Sequence, residues 1–374
     1  MNKKICMLTN THNPLDHRVF YKESLSLKKL GYEIYVIGVD FSETKKYVET
    51  EIKITQIRRV KNKVFKRILS LPYLYREAKK IDYDIYHCHD LDAAALGLLL
   101  KIFHKKKLVF DIHEYNSEII TEGSTIPKIL KPFIKKIIKI IDRYIAVKSD
   151  YIITVDDNLC NIYKKYNKNC VSIQNFINFE SLNNNKELDS NNFKTKDYIV
   201  YLGGLSEKRG ILKIIESVKK LKEKGIKNKI LFVGGFSNES EKNKTLKLIE
   251  KYKLEDMIRF VGKVPYEQVP KHLKQSIIGL LILQPSERYL KGSYPVKLFE
   301  YMYYGLPVIA SNFEGIKEII QKEKCGILIN PQDTDEITNA ITNLLEKPEK
   351  IKKMGANGKQ AILKKYNWNI ESKN

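Results

Sequence analysis

The sequence predicts an α/β protein built from two tandem Rossmann-like domains, each with a doubly wound parallel sheet, that face a cleft. Its 374 residues exceed one ordinary core and suit two domains of ~150–200 residues each. Short apolar runs rich in β-branched residues alternate with longer helical patterns along the whole chain. This alternation stops once, at an asparagine-rich stretch, and then restarts, which indicates two halves.

The first half, residues 1–178, contains the apolar runs expected of a parallel sheet. Helical patterns lie between these runs, for example at Val19–Leu30 and Ala93–Phe103, and predict helices on both faces of the sheet. The predicted strands are Ile5–Leu8, Ile34–Ile37, Ile85–Cys88, Leu108–Asp111, Ile152–Val155 and Val171–Ile173.

Residues 179–196 hold clustered asparagines and almost no core residues, so we predict a linker. Residues 197–357 form the predicted C-terminal domain, and the polar helical segment 358–374 is a candidate for crossing back to the first domain. Because ligands bind beyond the carboxyl ends of strands in such sheets, we sought chemistry in the loops that follow strands. The predicted strands are Tyr198–Leu202, Ile230–Val233, Ile258–Val261, Ile278–Leu283, Pro307–Ile309 and Gly326–Ile329.

Composition narrows the class of protein. No stretch of 18 apolar residues exists, and the apolar run near the N-terminus is too short for a signal peptide, so we expect Lys3–Leu8 to be a first strand. Five scattered cysteines fit a reducing cytoplasm better than a disulfide framework. The net charge of +23 reflects either general lysine richness or attraction to an anionic surface. No nucleic-acid module is visible, so nucleic acid is not an expected partner.

The segment 294–310 contains the most candidate ligand-binding residues in the chain. Pro295 and Val296 suit the first turn of a helix, whose free N–H groups would bind a phosphate. Lys297 and Glu300 are neighbours near that helix start, and the carboxylate could accept hydrogen bonds from sugar or ribose hydroxyls. The alternative is an amphipathic helix that carries an ordinary surface Lys–Glu pair.

A second motif follows the first strand of the C-terminal half. Gly203 and Gly204 end that strand, and Arg209 lies at the start of the next helix. Glycines allow close backbone approach, and a guanidinium offers a forked donor to a diphosphate. A glycine pair before a helix is weak evidence by itself.

Histidines and carboxylates follow two neighbouring strands of the first half. His87 and His89 belong to one run, and Asp111 and His113 belong to the next. From the residues alone, they could hold the metal ion of a hydrolase, or they could be hydrogen-bonded histidines that close off strand ends.

Two Asp-x-Asp pairs match the metal-binding motif of transferases with a single Rossmann-like domain. Asp82 and Asp84 precede a strand, which is the wrong end for a ligand site. Asp90 and Asp92 open a helix, where capping explains them. We therefore expect neither pair to bind a metal ion, and for a metal-independent transferase we expect no metal-binding residues.

The segment 294–310 resembles the signature of family 4 glycosyltransferases, which are retaining enzymes of the two-Rossmann-domain (GT-B) type. The subgroup pattern P-x-K-L-F-E-Y-M-x-x-G-x-P-V-I, as in bacterial surface-polysaccharide synthesis, matches from Pro295 onward. The resemblance implies that Glu300 binds the ribose of the donor nucleotide. The second Glu of the family motif is Gly292 here, which makes Lys297 a candidate for the donor phosphate or sugar.

Other segments resemble the same family. Arg209 matches its diphosphate-binding basic residue, whereas Gly204 replaces an Arg that many members carry. The D-x-H-E element places His113 near the transferred sugar, so the resemblance implies catalytic roles for His113 and Glu300. The H-x-H-D element and the variant H-x-P-x-D-x-R after the first strand imply an acceptor site. Its candidates are His89, Asp16 and Arg18, although Asp16 could simply cap the next helix.

Two stretches mix lysines with large apolar residues: Lys61–Lys80 and Lys128–Lys139. Such stretches either lie on anionic lipid or form half-buried surface helices. Both fall in the first half, where the family binds its acceptor, which is often lipid-linked. We therefore expect an anionic membrane surface as a partner.

The resemblance implies a metal-independent, cofactor-free, retaining hexosyltransferase in surface polysaccharide synthesis. It would move a sugar from a nucleotide diphosphate donor to a saccharide acceptor, lipid-linked by expectation, at the inner face of the plasma membrane. Two alternatives stay open: a metal-dependent hydrolase that uses His87, His89 and His113, and an inactive nucleotide-sugar binder, which Gly292 makes conceivable. The donor sugar, base and acceptor are not specified by the sequence.

Overall fold

The computed structural model describes residues 3–40, 51–58, 66–118, 127–179, 197–290 and 294–373. The chain divides into two compact units, Met1–Asn175 with Glu371–Asn374, and Phe176–Ile370. Of the segment 358–374, only the last four residues group with the first unit, where Gln174 N–H donates to Glu371 Oε1 at 2.6 Å. Residues 180–196 of the predicted linker and position 292 lie outside the described residues.

Among the described residues of the first unit, seven strands form a parallel sheet in the order β3-β2-β1-β4-β5-β6-β7. They are β1 (Lys4–Thr9), β2 (Glu33–Asp40), β3 (Lys53–Arg58), β4 (Ile85–His89), β5 (Lys107–Ile112), β6 (Tyr151–Thr154) and β7 (Cys170–Ser172). The sequence prediction missed β3. This strand lies at the edge of the sheet and has only two apolar residues, Ile54 and Ile57, so it lacks the continuous apolar run of the inner strands.

The helices of the first unit begin with a π-helical segment, His17–Ser24, which continues directly into an α-helix. A π-helix is wider than an α-helix and is rare outside functional sites. The α-helices are α1 (Leu25–Lys29), α2 (Lys66–Ile81), α3 (Asp90–His104), α4 (Lys131–Lys148) and α5 (Asp157–Tyr163).

The second unit repeats the architecture. Its described strands form a parallel sheet in the order β10-β9-β8-β11-β12-β13. They are β8 (Tyr198–Leu202), β9 (Lys229–Val233), β10 (Ile258–Gly262), β11 (Ser276–Leu281), β12 (Val308–Ser311) and β13 (Gly326–Ile329). The helices are α6 (Ile211–Glu223), α7 (Glu239–Tyr252), α8 (Val269–Lys274), α9 (Glu287–Leu290), α10 (Val296–Tyr303), α11 (Glu314–Glu323), α12 (Thr334–Leu345), α13 (Pro348–Lys364) and α14 (Trp368–Glu371). These two parallel-sheet units confirm the predicted fold class.

Each sheet has apolar cores on both faces, as expected when helices cover a parallel sheet on two sides. Fully buried aromatic residues fill these cores, among them Phe20 and Phe110 in the first unit and Phe232 in the second. No helix within the described residues is both long and apolar enough to cross a lipid bilayer.

The strand order reverses beside the first strand of each sheet, between β1 and β4 and between β8 and β11. Loops that leave such neighbouring strands diverge to opposite faces and open a crevice at the carboxyl edge of the sheet. The residues singled out by the sequence motifs lie at these two switch points.

Candidate active site

The loop after β8 brings two basic side chains of the second unit to one point. Gly203 has a φ of +115°, and a Cβ on it would lie 3.4 Å from Lys297 Nζ and 3.5 Å from Arg209 Nη1. A Cβ on Gly204 would lie 3.4 Å from the same Arg209 nitrogen. Because neither glycine has a side chain, both basic groups lie directly against the backbone of this loop.

A third glycine fixes this loop against the neighbouring strand. Gly210 has a φ of +84°, and a Cβ there would lie 1.8 Å from the carbonyl oxygen of Ile282, just beyond β11. No side chain larger than hydrogen fits at this distance without moving the backbone. Gly210 thus holds the Arg209 turn at the switch point between β8 and β11.

The first turn of α10, which carries Lys297, has free N–H groups. Pro295 occupies the N-cap position, and within the described residues no side chain caps this helix start. Leu298 N–H already bonds Pro295 O at 2.9 Å, which leaves the preceding N–H groups, including that of Val296, outside the helical ladder. The positive end of the helix dipole favours an anion here.

Lys297 is held in an apolar environment. Its Nζ lies 4.0 Å above the centroid of the Tyr201 ring, and Tyr201 is itself fully buried. Within the described part of the chain, this Nζ is buried and makes no hydrogen bond. Lys297 is therefore not half of a surface ion pair, which was the alternative that the local pattern allowed.

Glu300 is buried at 6% exposure and is hydrogen-bonded to the Tyr266 hydroxyl. Burial, together with the Glu300 charge and this hydrogen bond, raises the pKa of Tyr266, so the hydroxyl stays a donor. The next residue, Tyr301, fixes α10 against the sheet, because its hydroxyl accepts from Leu202 N–H at 2.7 Å and donates to Leu280 O at 3.2 Å.

In the first unit, Asp16 caps the π-helical segment. Its carboxylate accepts from the N–H groups of Arg18 at 2.8 Å and Val19 at 3.3 Å, so the capping role is confirmed. The same side chain keeps 32% exposure and lies 3.8 Å from His12 Nδ1. Although burial alone would lower it, the hydrogen bonds with Asp16 and Asp90 raise the pKa of His12 to about 10.

Asp90 and Asp92 do not cap α3, contrary to the sequence prediction. Asp90 Oδ2 accepts from Thr11 Oγ1 at 2.6 Å and bonds His12 Nε2 at 2.8 Å, and Asp92 Oδ2 accepts from Asn10 Nδ2 at 3.0 Å. Asp90 adopts a left-handed φ of +64°, which is uncommon for a non-glycine residue. These carboxylates fix the loop after β1 instead.

Arg18 points inward at 2% exposure. It donates to both carboxylate oxygens of Asp111, at 3.3 and 3.2 Å, and to the carbonyl oxygen of Ile173 at 2.9 Å. Its Nε also lies 2.8 Å from Glu23 Oε1. The guanidinium, predicted to meet an acceptor, is thus engaged inside the unit, where it joins β5 to the π-helical segment.

The histidines converge on Asp111. Its Oδ2 lies 3.5 Å from His87 Nε2, 3.3 Å from His89 Nδ1 and 3.4 Å from His113 Nε2. His89 Nδ1 and His113 Nε2 are hydrogen-bonded at 3.1 Å. Burial lowers the pKa of His89 to about 3, so this ring is neutral, and it is fully buried. His113 keeps 9% exposure, compared with 6% for His87 and none for His89.

Sequence reasoning missed Glu23, which lies beside this cluster with Oε2 3.5 Å from His87 Nε2. Arg18 and Glu23 are five residues apart, so an α-helix would place them on different faces, whereas the π-helical segment brings them together. Burial raises the pKa of Glu23, and the Arg18 charge offsets only part of this effect.

Two groups of ligand-type atoms in the described residues are close enough to surround a metal ion. One comprises Glu23, His87, His89 and Asp111, and the other comprises His12, Asp90 and His113. In the first group the Arg18 guanidinium pairs with Asp111 and lies beside Glu23, so a cation is present without a metal. In the second, Asp90 is engaged by Thr11 and His12. Neither arrangement favours a hydrolytic metal centre.

Comparisons with known proteins agree with this architecture. Residues 17–181 match the profile of Glycosyltransferase Family 4, and residues 183–361 match that of Glycosyl transferases group 1. An uncharacterized glycosyltransferase of Methanocaldococcus jannaschii is 27% identical over 372 residues, covering 90% of this chain and 87% of that protein. The putative colanic acid biosynthesis glycosyltransferase WcaL of Escherichia coli is 30% identical over 171 residues, or 40% of each chain. The crystal structure of Anabaena HepE in complex with UDP and glucose has a TM-score of 0.73 at 13% identity, covering 100% of this chain and 98% of that one.

Two parallel-sheet α/β units with polar residues gathered at their switch points define the GT-B class of glycosyltransferase fold. The chain carries a family 4 glycosyltransferase domain followed by a group 1 glycosyltransferase domain, and it is a glycosyltransferase.

Proposed function

We propose that the protein is a retaining, metal-independent hexosyltransferase that moves a sugar from a nucleoside diphosphate donor to a lipid-linked saccharide in surface polysaccharide synthesis. The observation that carries the donor site is the convergence of Arg209 Nη1 and Lys297 Nζ on the backbone of Gly203. A guanidinium, a lysine amine and a free helix N-terminus complement a diphosphate better than any neutral ligand. HepE, which shares the fold, binds UDP and glucose.

Each donor residue has a distinct role in this proposal. Arg209, Lys297 and the N–H groups around Val296 hold the diphosphate and stabilise the charge that develops as it leaves. Glu300, one turn further along α10, accepts hydrogen bonds from the ribose hydroxyls, and Tyr266 fixes its carboxylate. Pro295 sets the direction of the helix start.

The first unit would hold the acceptor. His113 contacts the transferred sugar, and His89 and Asp111 fix its ring from behind. Asp16 is part-exposed and is available to the acceptor, whereas Arg18 acts by positioning Asp111. In the transfer step, the sugar's anomeric carbon leaves the diphosphate oxygen and bonds the acceptor oxygen on the same face. The acceptor's proton passes to the departing phosphate.

Metal independence rests on the basic groups of the donor site, which carry positive charge when the donor is bound. A divalent cation in a transferase neutralises the diphosphate leaving group. Here Arg209, Lys297 and the start of α10 supply positive charge at that position. The carboxylates of Asp90 and Asp92, one of the two Asp-x-Asp pairs, are hydrogen-bonded within the first unit. No cofactor is required by the proposed step.

The first unit also presents a surface suited to anionic lipid. The neighbouring helices α2, α3 and α4 expose large apolar side chains, including Ile68 at 63%, Phe103 at 68% and Phe133 at 65%. Lys136 and Lys139 are exposed on α4 among them. Apolar residues ringed by lysines match the chemistry of an anionic bilayer surface. We infer peripheral binding to the inner face of the plasma membrane, although residues 61–65 lie outside the described residues.

The test is release of nucleoside diphosphate from UDP- and GDP-hexoses in the presence of lipid-linked saccharide acceptors, with the anomeric configuration of the product read by NMR. The proposal predicts turnover with retention and a loss of at least tenfold in kcat/KM for Arg209→Met. Inversion of configuration would refute the retaining mechanism, and unchanged turnover in Arg209→Met would refute the donor site. The matched control is Lys208→Met, which removes the neighbouring exposed cation.

A further inference from the structure

The side-chain amine of Lys297 is shielded from solvent in the free protein. Its Nζ is buried and makes no hydrogen bond within the described residues. An ammonium has three donors, and burying it without acceptors costs several kcal/mol. The Tyr201 ring, 4.0 Å away, offers a cation–π contact of ~0.5–2 kcal/mol, which offsets only part of that cost.

The charged groups that face this amine oppose its protonation on balance. From the loop after β8, Arg209 Nη1 lies with it against the backbone of Gly203. From α10 itself, Glu300 lies one turn away, but its carboxylate is engaged by Tyr266. The tyrosines nearby, Tyr201 and Tyr301, are neutral, since burial raises the pKa of each. Burial and then Arg209 lower the pKa of Lys297 well below its usual range, and Glu300 compensates only partly.

We propose that Lys297 is an uncharged amine in the free protein and takes up one proton from solvent when the diphosphate of the donor binds. The inference rests on the donor site proposed above. A diphosphate supplies the hydrogen-bond acceptors that the amine lacks. Its negative charge also outweighs the repulsion from Arg209, so protonation of Lys297 becomes favourable. The neutral lysine becomes an ammonium bonded to phosphate oxygens, and no covalent bond changes. The charge needed to stabilise the leaving group therefore appears only with the donor in place.

A thermodynamic consequence follows from the proton count. Because the bound state holds one more proton than the free state, affinity falls as pH rises. The fall approaches tenfold per pH unit between the pKa values of Lys297 in the free and bound states. The nucleotide does not mask this effect above pH 7.5, since its terminal phosphate titrates near pH ~6.

The experiment is isothermal titration calorimetry at pH 8.0 with UDP, GDP, ADP, CDP and dTDP. The tightest binder is then titrated in several buffers that differ in ionisation enthalpy. The slope of observed enthalpy against buffer ionisation enthalpy counts the protons taken up. For the wild type we expect uptake approaching one proton. For Lys297→Arg, whose charge is permanent, we expect binding within about tenfold of the wild type and no uptake.

Lys297→Met provides a second variant that removes the amine while keeping an unbranched apolar stem. It should bind the nucleotide at least tenfold more weakly, with no proton uptake and no dependence of affinity on pH from 7.5 to 9.0. Tight wild-type binding without proton uptake would overturn this inference and leave the donor site standing. Uptake that persists in either variant would also overturn it. Failure of every nucleoside diphosphate to bind would overturn the proposed function as well.

Discussion

Glu300→Gln is the substitution that most sharply separates a donor-binding carboxylate from a structural one. The change keeps the shape of the side chain and removes its charge. Because Glu300 is 6% exposed and is fixed by Tyr266, the replaced group stays in place within α10. We expect the fold to remain intact and sugar transfer to fall at least tenfold.

The magnitude follows from the hydrogen bonds that a carboxylate makes to ribose hydroxyls. A hydrogen bond to a charged acceptor contributes about 1.5–3 kcal/mol, and a neutral amide recovers only part of it. At 1.4 kcal/mol per factor of ten, complete loss corresponds to about 10- to 150-fold. If ribose contact is the only role of Glu300, the loss appears in donor KM. If the contact also sets the reacting geometry, kcat falls too.

Steady-state kinetics with a nucleoside diphosphate hexose measures both constants. Tyr266→Phe is the matched control, because it removes the partner of Glu300 while leaving the carboxylate. We expect Tyr266→Phe to lose less activity than Glu300→Gln. Wild-type rates and donor affinity in Glu300→Gln, with equal small losses of melting temperature in both variants, would show that the carboxylate is structural and that the nucleotide binds elsewhere.

Three further outcomes are expected. Transfer should persist in excess EDTA, and a complete loss that manganese or magnesium restores would contradict metal independence. Anionic liposomes should bind the protein and release it as salt rises. Lys136→Gln/Lys139→Gln should weaken flotation about thirtyfold at ~1 kcal/mol per residue, whereas Lys353→Gln/Lys359→Gln on α13 should not. The folded pKa of His12, about 10, lies above its ordinary value of 6.5, so its stabilising contribution is complete below pH 6.5 and is lost as pH rises through 10. The free energy of unfolding should therefore fall across this range more in the wild type than in His12→Gln, and parallel curves would refute the assignment.

The sequence predicted the fold class and most of the strands because inner strands of parallel sheets are continuous apolar runs. The edge strand β3 lacks such a run and was missed. The donor-site residues could be predicted from the sequence because Gly203 and Lys297 lie in motifs that follow strands. The strand order then places these two motifs together. The environment of the Lys297 side chain could not be predicted from the sequence, because its contact with Tyr201 depends on tertiary packing.

The first unit shows where periodicity misleads. An α-helical pattern was predicted from Val19, but the structure has a π-helical segment there. Only this wider turn places Arg18 beside Glu23. No sequence pattern therefore predicted that the buried Glu23 carboxylate lies beside the histidine cluster. Arg18 itself matched an acceptor motif, yet burial against Asp111 gives it a positioning role. A motif identifies which residues gather at a strand end, whereas packing decides which of them remain open to a ligand.

The most direct test of the central claim is thermal unfolding of the intact protein with and without nucleoside diphosphates. Ligand at 100 times its dissociation constant should stabilise the wild type by about 2.7 kcal/mol, and the corresponding nucleoside should stabilise it far less. His113→Ala should respond as the wild type does, whereas Arg209→Met should respond much less, because only Arg209 lies with Lys297 against the backbone of Gly203. An equal response in Arg209→Met, or a lost response in His113→Ala, would contradict a nucleotide site in the second unit.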